Sequence, residues 1–157
     1  MGTLIFRGND HLLELSFPSL SLCAGRINIV SNQQLREVAI PNFVYAVLNL
    51  RISNNPSLEM IALPELISFG GSTVIEGNGQ LKSIFLPICD GMLSAASMTI
   101  RNSASLESLN FPGLDCGYIA NFILENNPKL VNVTIPKDCT RRFTSIDNNP
   151  ELQFIEI

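Results

Sequence analysis

The side chains that could do chemistry are few, and their spacing limits what that chemistry can be. His11 is the single histidine. It holds a position that recurs along the chain as Gln34, Ser57, Gln80, Ser105, Lys129 and Glu151, which reads as a solvated turn. Without a second histidine, neither a histidine metal cluster nor an ordinary hydrolytic triad is available. Paired carboxylates would be the other route, since carbohydrate-active β-helix enzymes work with two acids. Here the acids alternate with bases: Glu76, Arg101 and Glu125 recur at one position, as do Arg36, Glu59, Lys82 and Glu107. Alternating columns of this kind fix the register of neighbouring strands on a wet face, at modest energy per pair. No catalytic residue, metal site or cofactor is expected, and an enzyme is the most distant reading.

The cysteines carry more open chemistry. Cys89–Asp90, Asp115–Cys116 and Asp138–Cys139 fall at similar places in three consecutive stretches. Small residues suit buried bends and aspartate suits turns, which accounts for the cluster without function. A disulfide joining Cys116 to Cys89 or Cys139 is a second reading, and a sulfur/oxygen cation site a third. Cys23 is distant and reads as unpaired. The pattern Asn132–Val133–Thr134 is a glycosylation acceptor, which points towards the cell surface or an extracellular setting. Four cysteines without regular spacing leave a cytoplasmic location as the alternative.

What would position these residues is a repeat, and it dominates the sequence. One leucine recurs as Leu12, Leu35, Leu58, Leu81, Leu106, Leu130 and Leu152, in steps of 23, 23, 23, 25, 24 and 22 residues. Six residues after each of the first six leucines stands a proline: Pro18, Pro41, Pro64, Pro87, Pro112 and Pro136. Near-equal steps with a second residue type in phase identify a solenoid. The spacing predicts a mainly β, right-handed leucine-rich β-solenoid of about seven coils, 22–25 residues each, with parallel sheets and little helix. Each unit reads as two short strands flanking a turn, because apolar residues alternate on both sides of the leucine. The inward columns are Phe6, Ile29, Ile52, Ile75, Ile100, Leu124 and Ile146 on the first strand. On the second they are Leu15, Val38, Ile61, Ile84, Leu109, Val133 and Ile155, followed by a column from Phe17 to Ile157. Proline ends the second strand because it cannot donate to a ladder. Three residues before each leucine come Asn9, Asn32, Asn55, Asn78, Ser103, Asn127 and Asn149. Stacked at one strand spacing, these amides form a structural asparagine ladder that satisfies buried turn backbone.

Composition agrees with a packed fold. The chain has 157 residues, is 46% hydrophobic and only 15% charged, and carries a net charge of -4. Low charge argues against disorder, and mild acidity argues against nucleic-acid binding. No apolar run approaches the roughly 20 residues that span a bilayer, so membrane insertion is not expected. The start shows no signal-peptide pattern. We read residues 1–157 as one solenoid domain and as a fragment of a longer repeat protein, with Met1–Gly2 an expression remnant. Bare strand edges at both ends would favour self-association, since solenoids normally need polar caps.

The unit NNPSLEMIALPELISFGG, from Asn54 to Gly71, resembles the repeat of receptor L domains, the leucine-rich solenoids of insulin-receptor and EGF-receptor ectodomains and of fungal cell-wall proteins. The phrase LxxLxLPxL is also similar to BspA-type leucine-rich repeats of microbial and protist surface proteins. The resemblance covers nearly the whole chain and implies binding or adhesion without catalytic residues. The residues place the docking face on the outside of the second strand, where Met60, Ala62, Ser83, Phe85, Ser108 and Asn110 are uncharged and include the methionine and aromatic typical of interface cores. The expected function is non-catalytic recognition of a protein or glycan through that face. The alternative is a structural scaffold or self-stacking segment.

Overall fold

The computed structural model describes residues 2–86, 96–111, 119–135 and 143–156. Cys89, Cys116 and Cys139, with their aspartates, and Ile157 lie outside the described residues. The chain is a mainly β, parallel-sheet solenoid with no helix among the described residues. Its first side is a seven-stranded sheet of β1 (Leu4–Arg7), β4 (Ile27–Val30), β7 (Leu50–Ser53), β10 (Thr73–Glu76), β12 (Ala96–Arg101), β14 (Ile119–Glu125) and β16 (Phe143–Asp147). One strand comes from each leucine-bearing repeat. The second side carries β2 (Glu14–Ser16), β5 (Glu37–Ala39), β8 (Met60–Ala62) and β11 (Ser83–Phe85) in one sheet. A separate three-stranded sheet holds β13 (Ser108–Asn110), β15 (Asn132–Thr134) and β17 (Phe154–Glu156).

Two expectations need correction. The winding is about five turns of roughly 23 residues, fewer than the about seven coils expected. Counting leucines counts one corner per repeat, and the repeat of Leu152 has only β16 and β17 among the described residues. The chain also has a third side, where two strands per repeat were expected. Among the described residues it consists of the two-residue strands β3 (Leu22–Cys23), β6 (Tyr45–Ala46) and β9 (Ser68–Phe69).

The corners follow from residue type. Each first-side strand is followed by a residue in the left-handed backbone region: Gly8, Ser31, Asn54, Gly77, Asn102, Asn126 and Asn148, with φ between 54° and 66°. Glycine and asparagine tolerate this conformation, and Ser31 is the exception in type. The next turn closes from the asparagine carbonyl to the leucine amide three residues on, as in Leu58 N–H to Asn55 O at 3.0 Å. After the second side, proline occupies the second position of another such turn. Leu66 N–H reaches Leu63 O at 3.1 Å across Pro64, and Phe43 N–H reaches Ile40 O at 3.2 Å across Pro41. Proline pre-sets that backbone angle. It therefore turns the chain onto the third side, where Leu20, Phe43 and Leu66 plug the core.

The core is one continuous cluster. Leu35, Leu58, Leu81, Leu106 and Leu130 are fully buried, as are Ile29, Ile52, Ile75, Ile100 and Leu124. Burial fades at the ends, where Phe6, Leu12, Phe17, Ile146 and Leu152 are only partly covered. Ile155, expected in the inward column, is 38% exposed, because β17 has a neighbour on one side only.

Candidate functional site

The outer face of the second side is built by alternation. Inward Val38, Ile61, Ile84, Leu109 and Val133 are buried, so their neighbours on each strand must face out. Met60 and Ala62 lie opposite Ser83 and Phe85 in the parallel register of β8 and β11, which puts Met60 diagonal to Phe85. Phe85 is 56% exposed and Met60 36%. Ala62 is half-buried, and Ser83, Ser108 and Asn110 are exposed. The structure thus places all six residues on one side of the solenoid. It does not place them in one sheet: Ser108 and Asn110 belong to β13, which does not pair with β11.

Beside Met60 and Ser83 runs a shallow groove of about 390 Å³, lined by Glu14, Arg36, Glu37, Glu59 and Lys82. Glu14 and Glu37 stand directly opposite in register, a like-charge pair that disfavours folding slightly. Lys82 Nζ donates to Glu59 Oε2 at 2.9 Å, and that hydrogen bond and charge hold the Glu59 carboxyl below its usual value. The pair is exposed on both sides, so its contribution to stability is small.

The outer face of the first side is organised differently. Glu76 is bracketed by two guanidiniums: Arg101 donates through Nε at 2.8 Å and Nη2 at 2.7 Å to Oε2, and Arg51 bonds Oε1. Arg51 was not part of the expected charge column. Its long side chain reaches Glu76 diagonally from a position whose register partner is Val74. Glu125 accepts from Ser145 Oγ at 2.7 Å. Both oxygens of Glu76 are thus engaged by neighbours within its own sheet. His11 is exposed in its turn, and among the described residues no group of three or more His, Cys, Asp or Glu is arranged to hold a metal ion. Cys23 is buried and free, its Sγ 3.1 Å from Gly2 O. Asn132 is exposed on β15.

Asn32, Asn55, Asn78 and Asn127 lie inside, while Asn9 is exposed and Asn149 half-buried at the two ends. Asn55 shows the pattern: its Oδ1 accepts from Asn32 N–H at 3.0 Å and Asn32 Nδ2 at 3.1 Å, while its Nδ2 donates to Ile29 O at 3.1 Å. Asn9 bonds Asn32 in the same way, and Asn55 bonds Asn78. A second run joins Ser103 N–H to Asn127 and Asn127 to Asn149. Between the runs stands Ser103, whose buried Oγ has no partner among the described residues. Serine was read as equivalent to asparagine at this position, yet it lacks the amide that both accepts from one repeat and donates to another.

No family model, curated protein or solved structure matches this chain.

Proposed function

We propose that the chain is a non-catalytic binding or adhesion module that recognises a protein or glycan through the outer face of its second side. One observation carries this reading: Phe85 and Met60 are exposed diagonally to one another on the paired strands β11 and β8, on the side that also carries Ala62, Ser83, Ser108 and Asn110, with no charge among the six. An exposed aromatic held at low entropic cost, surrounded by small polar groups, suits a protein partner or the flat face of a sugar. The acceptor pattern at exposed Asn132 supports a cell-surface or extracellular setting for such a module. The test is an array of ectodomain proteins and glycans probed with the wild-type chain and with Phe85→Asp. Ligands of this face lose binding about tenfold or more with the variant, as expected for a buried anchor. A ligand held equally by both chains would place recognition elsewhere.

A second reading, a scaffold segment that stacks on a further copy or on neighbouring repeats, is favoured by exposed Ile155 on β17 and by partly covered Leu4 and Phe6 on β1. Light scattering across concentration distinguishes it. Stacking predicts a mass that rises with concentration and falls back with Ile155→Lys, whereas a face-binding module keeps a constant mass.

A further inference from the structure

Backbone hydrogen bonds join successive repeats on the second side by one rule, and among the described residues the rule breaks between the fourth and fifth repeats. Near the leucine, an amide of each repeat donates back to its predecessor: Arg36 to Leu13 O, Glu59 to Arg36 O, Lys82 to Glu59 O, then Val131 to Glu107 O and Gln153 to Val131 O. Past the strand, an amide donates forward: Phe17 to Ala39 O, Ile40 to Ala62 O, Leu63 to Phe85 O, and Phe111 to Thr134 O. By the same rule Glu107 should donate to Lys82 O and Leu86 to Asn110 O. Neither bond is formed, and β11 and β13 belong to separate sheets.

The asparagine ladder stops at the same junction, since Ser103 replaces the amide that would accept from Asn78 and its Oγ is unpartnered. The longest step of the repeat, 25 residues from Leu81 to Leu106, is here too. Two independent polar ladders therefore end where the spacing changes. On the first side, by contrast, β10 and β12 pair in full register from Thr73–Met98 to Glu76–Arg101. Gly77 N–H continues to Arg101 O at 3.1 Å, and Arg101 holds Glu76 across the junction.

We infer that the junction between the fourth and fifth repeats is a one-sided seam. It divides the solenoid into two cooperatively opening units, the described residues up to 86 and the described residues from 96 onward, hinged on the seven-stranded sheet. A solenoid is stabilised by nearest-neighbour interfaces, so its cooperativity is set by its weakest junction. At this one β11 and β13 lie near each other without a hydrogen-bond ladder among the described residues. The seam follows from the fold and stands whether or not the second side binds a partner.

Native-state amide exchange with increasing denaturant tests the seam on the unmodified chain, because it resolves opening units of different free energy. Asn32, Asn55, Glu59 and Lys82 N–H should share one opening isotherm. Asn127, Val131 and Phe111 N–H should share another, with a step in protection of about tenfold or more between Lys82 and Val131. Uniform protection across both groups would overturn the inference. So would a smooth decline towards both ends, which simple fraying of a uniform solenoid produces.

Discussion

The first and second sides are built from the same repeats, yet one is continuous through seven strands and the other is split four and three. First-side strands run up to seven residues and absorb irregular spacing through register shifts at Ala96/Ser97 and Phe122/Ile123. Second-side strands are three residues long; they keep their register beside both of those shifts, and they part only between β11 and β13, where β10 and β12 of the first side pair without a shift. The same outer faces differ in character: Glu76 is tied to two arginines on the first side, while Phe85 and Met60 are bare on the second.

The largest effect should come from the core that both sides share. Leu58→Ala removes a fully buried side chain and should destabilise by about 2–5 kcal/mol. Leu152→Ala, at a half-covered end, should cost clearly less, and Leu81→Ala should resemble Leu58→Ala. Thermal midpoints that rank otherwise would break the picture of a core that thins at its ends.

The ladder gives the next effect. Asn55→Ala leaves Asn32 N–H without its partner in a buried setting, at about 1–3 kcal/mol, and removes one of the two hydrogen bonds that Ile29 O accepts. The same change at exposed Asn9 strands less, so it should cost well under half as much in urea titrations.

A repair sharpens the comparison further. Ser103→Asn would supply the missing amide between Asn78 and Asn127, and should stabilise by about 0.5–1.5 kcal/mol while narrowing the exchange step across the seam. A loss of stability would mean that the site is too tight for an asparagine.

The smallest effect concerns charge. The Lys82 contact lowers the folded-state pKa of Glu59 below its unfolded value. The stability it adds is therefore complete above the unfolded pKa and is lost as pH falls through the folded one. A carboxyl titration followed by NMR should find Glu59 lowered in the wild type. Lys82→Met or high salt should bring it back towards the ordinary range.

Much of this was legible in the sequence because a solenoid turns spacing into structure. The leucine step marked the repeat, alternation marked the buried columns from Ile29 to Leu124 and from Val38 to Val133, and the asparagines were placed at the buried turn. The outward placement of the six residues from Met60 to Asn110 follows from the same alternation. Period alone could do this because each residue meets its counterpart one repeat away, so local pattern and tertiary contact carry the same information.

Other features were decided only by the folded chain. The third side escaped notice because a two-residue strand is too short to show alternation, although Leu20, Phe43 and Leu66 recur at the repeat spacing. The column of left-handed residues mixes glycine, asparagine and serine, so its common cause is conformational and hidden from composition. Ile155 is inward by pattern and exposed in fact, because burial needs a neighbour as well as a phase. The seam is of the same kind. Sequence shows a serine for an asparagine and two extra residues, but whether neighbouring strands still meet in hydrogen-bonding register depends on distances across the solenoid that spacing does not encode.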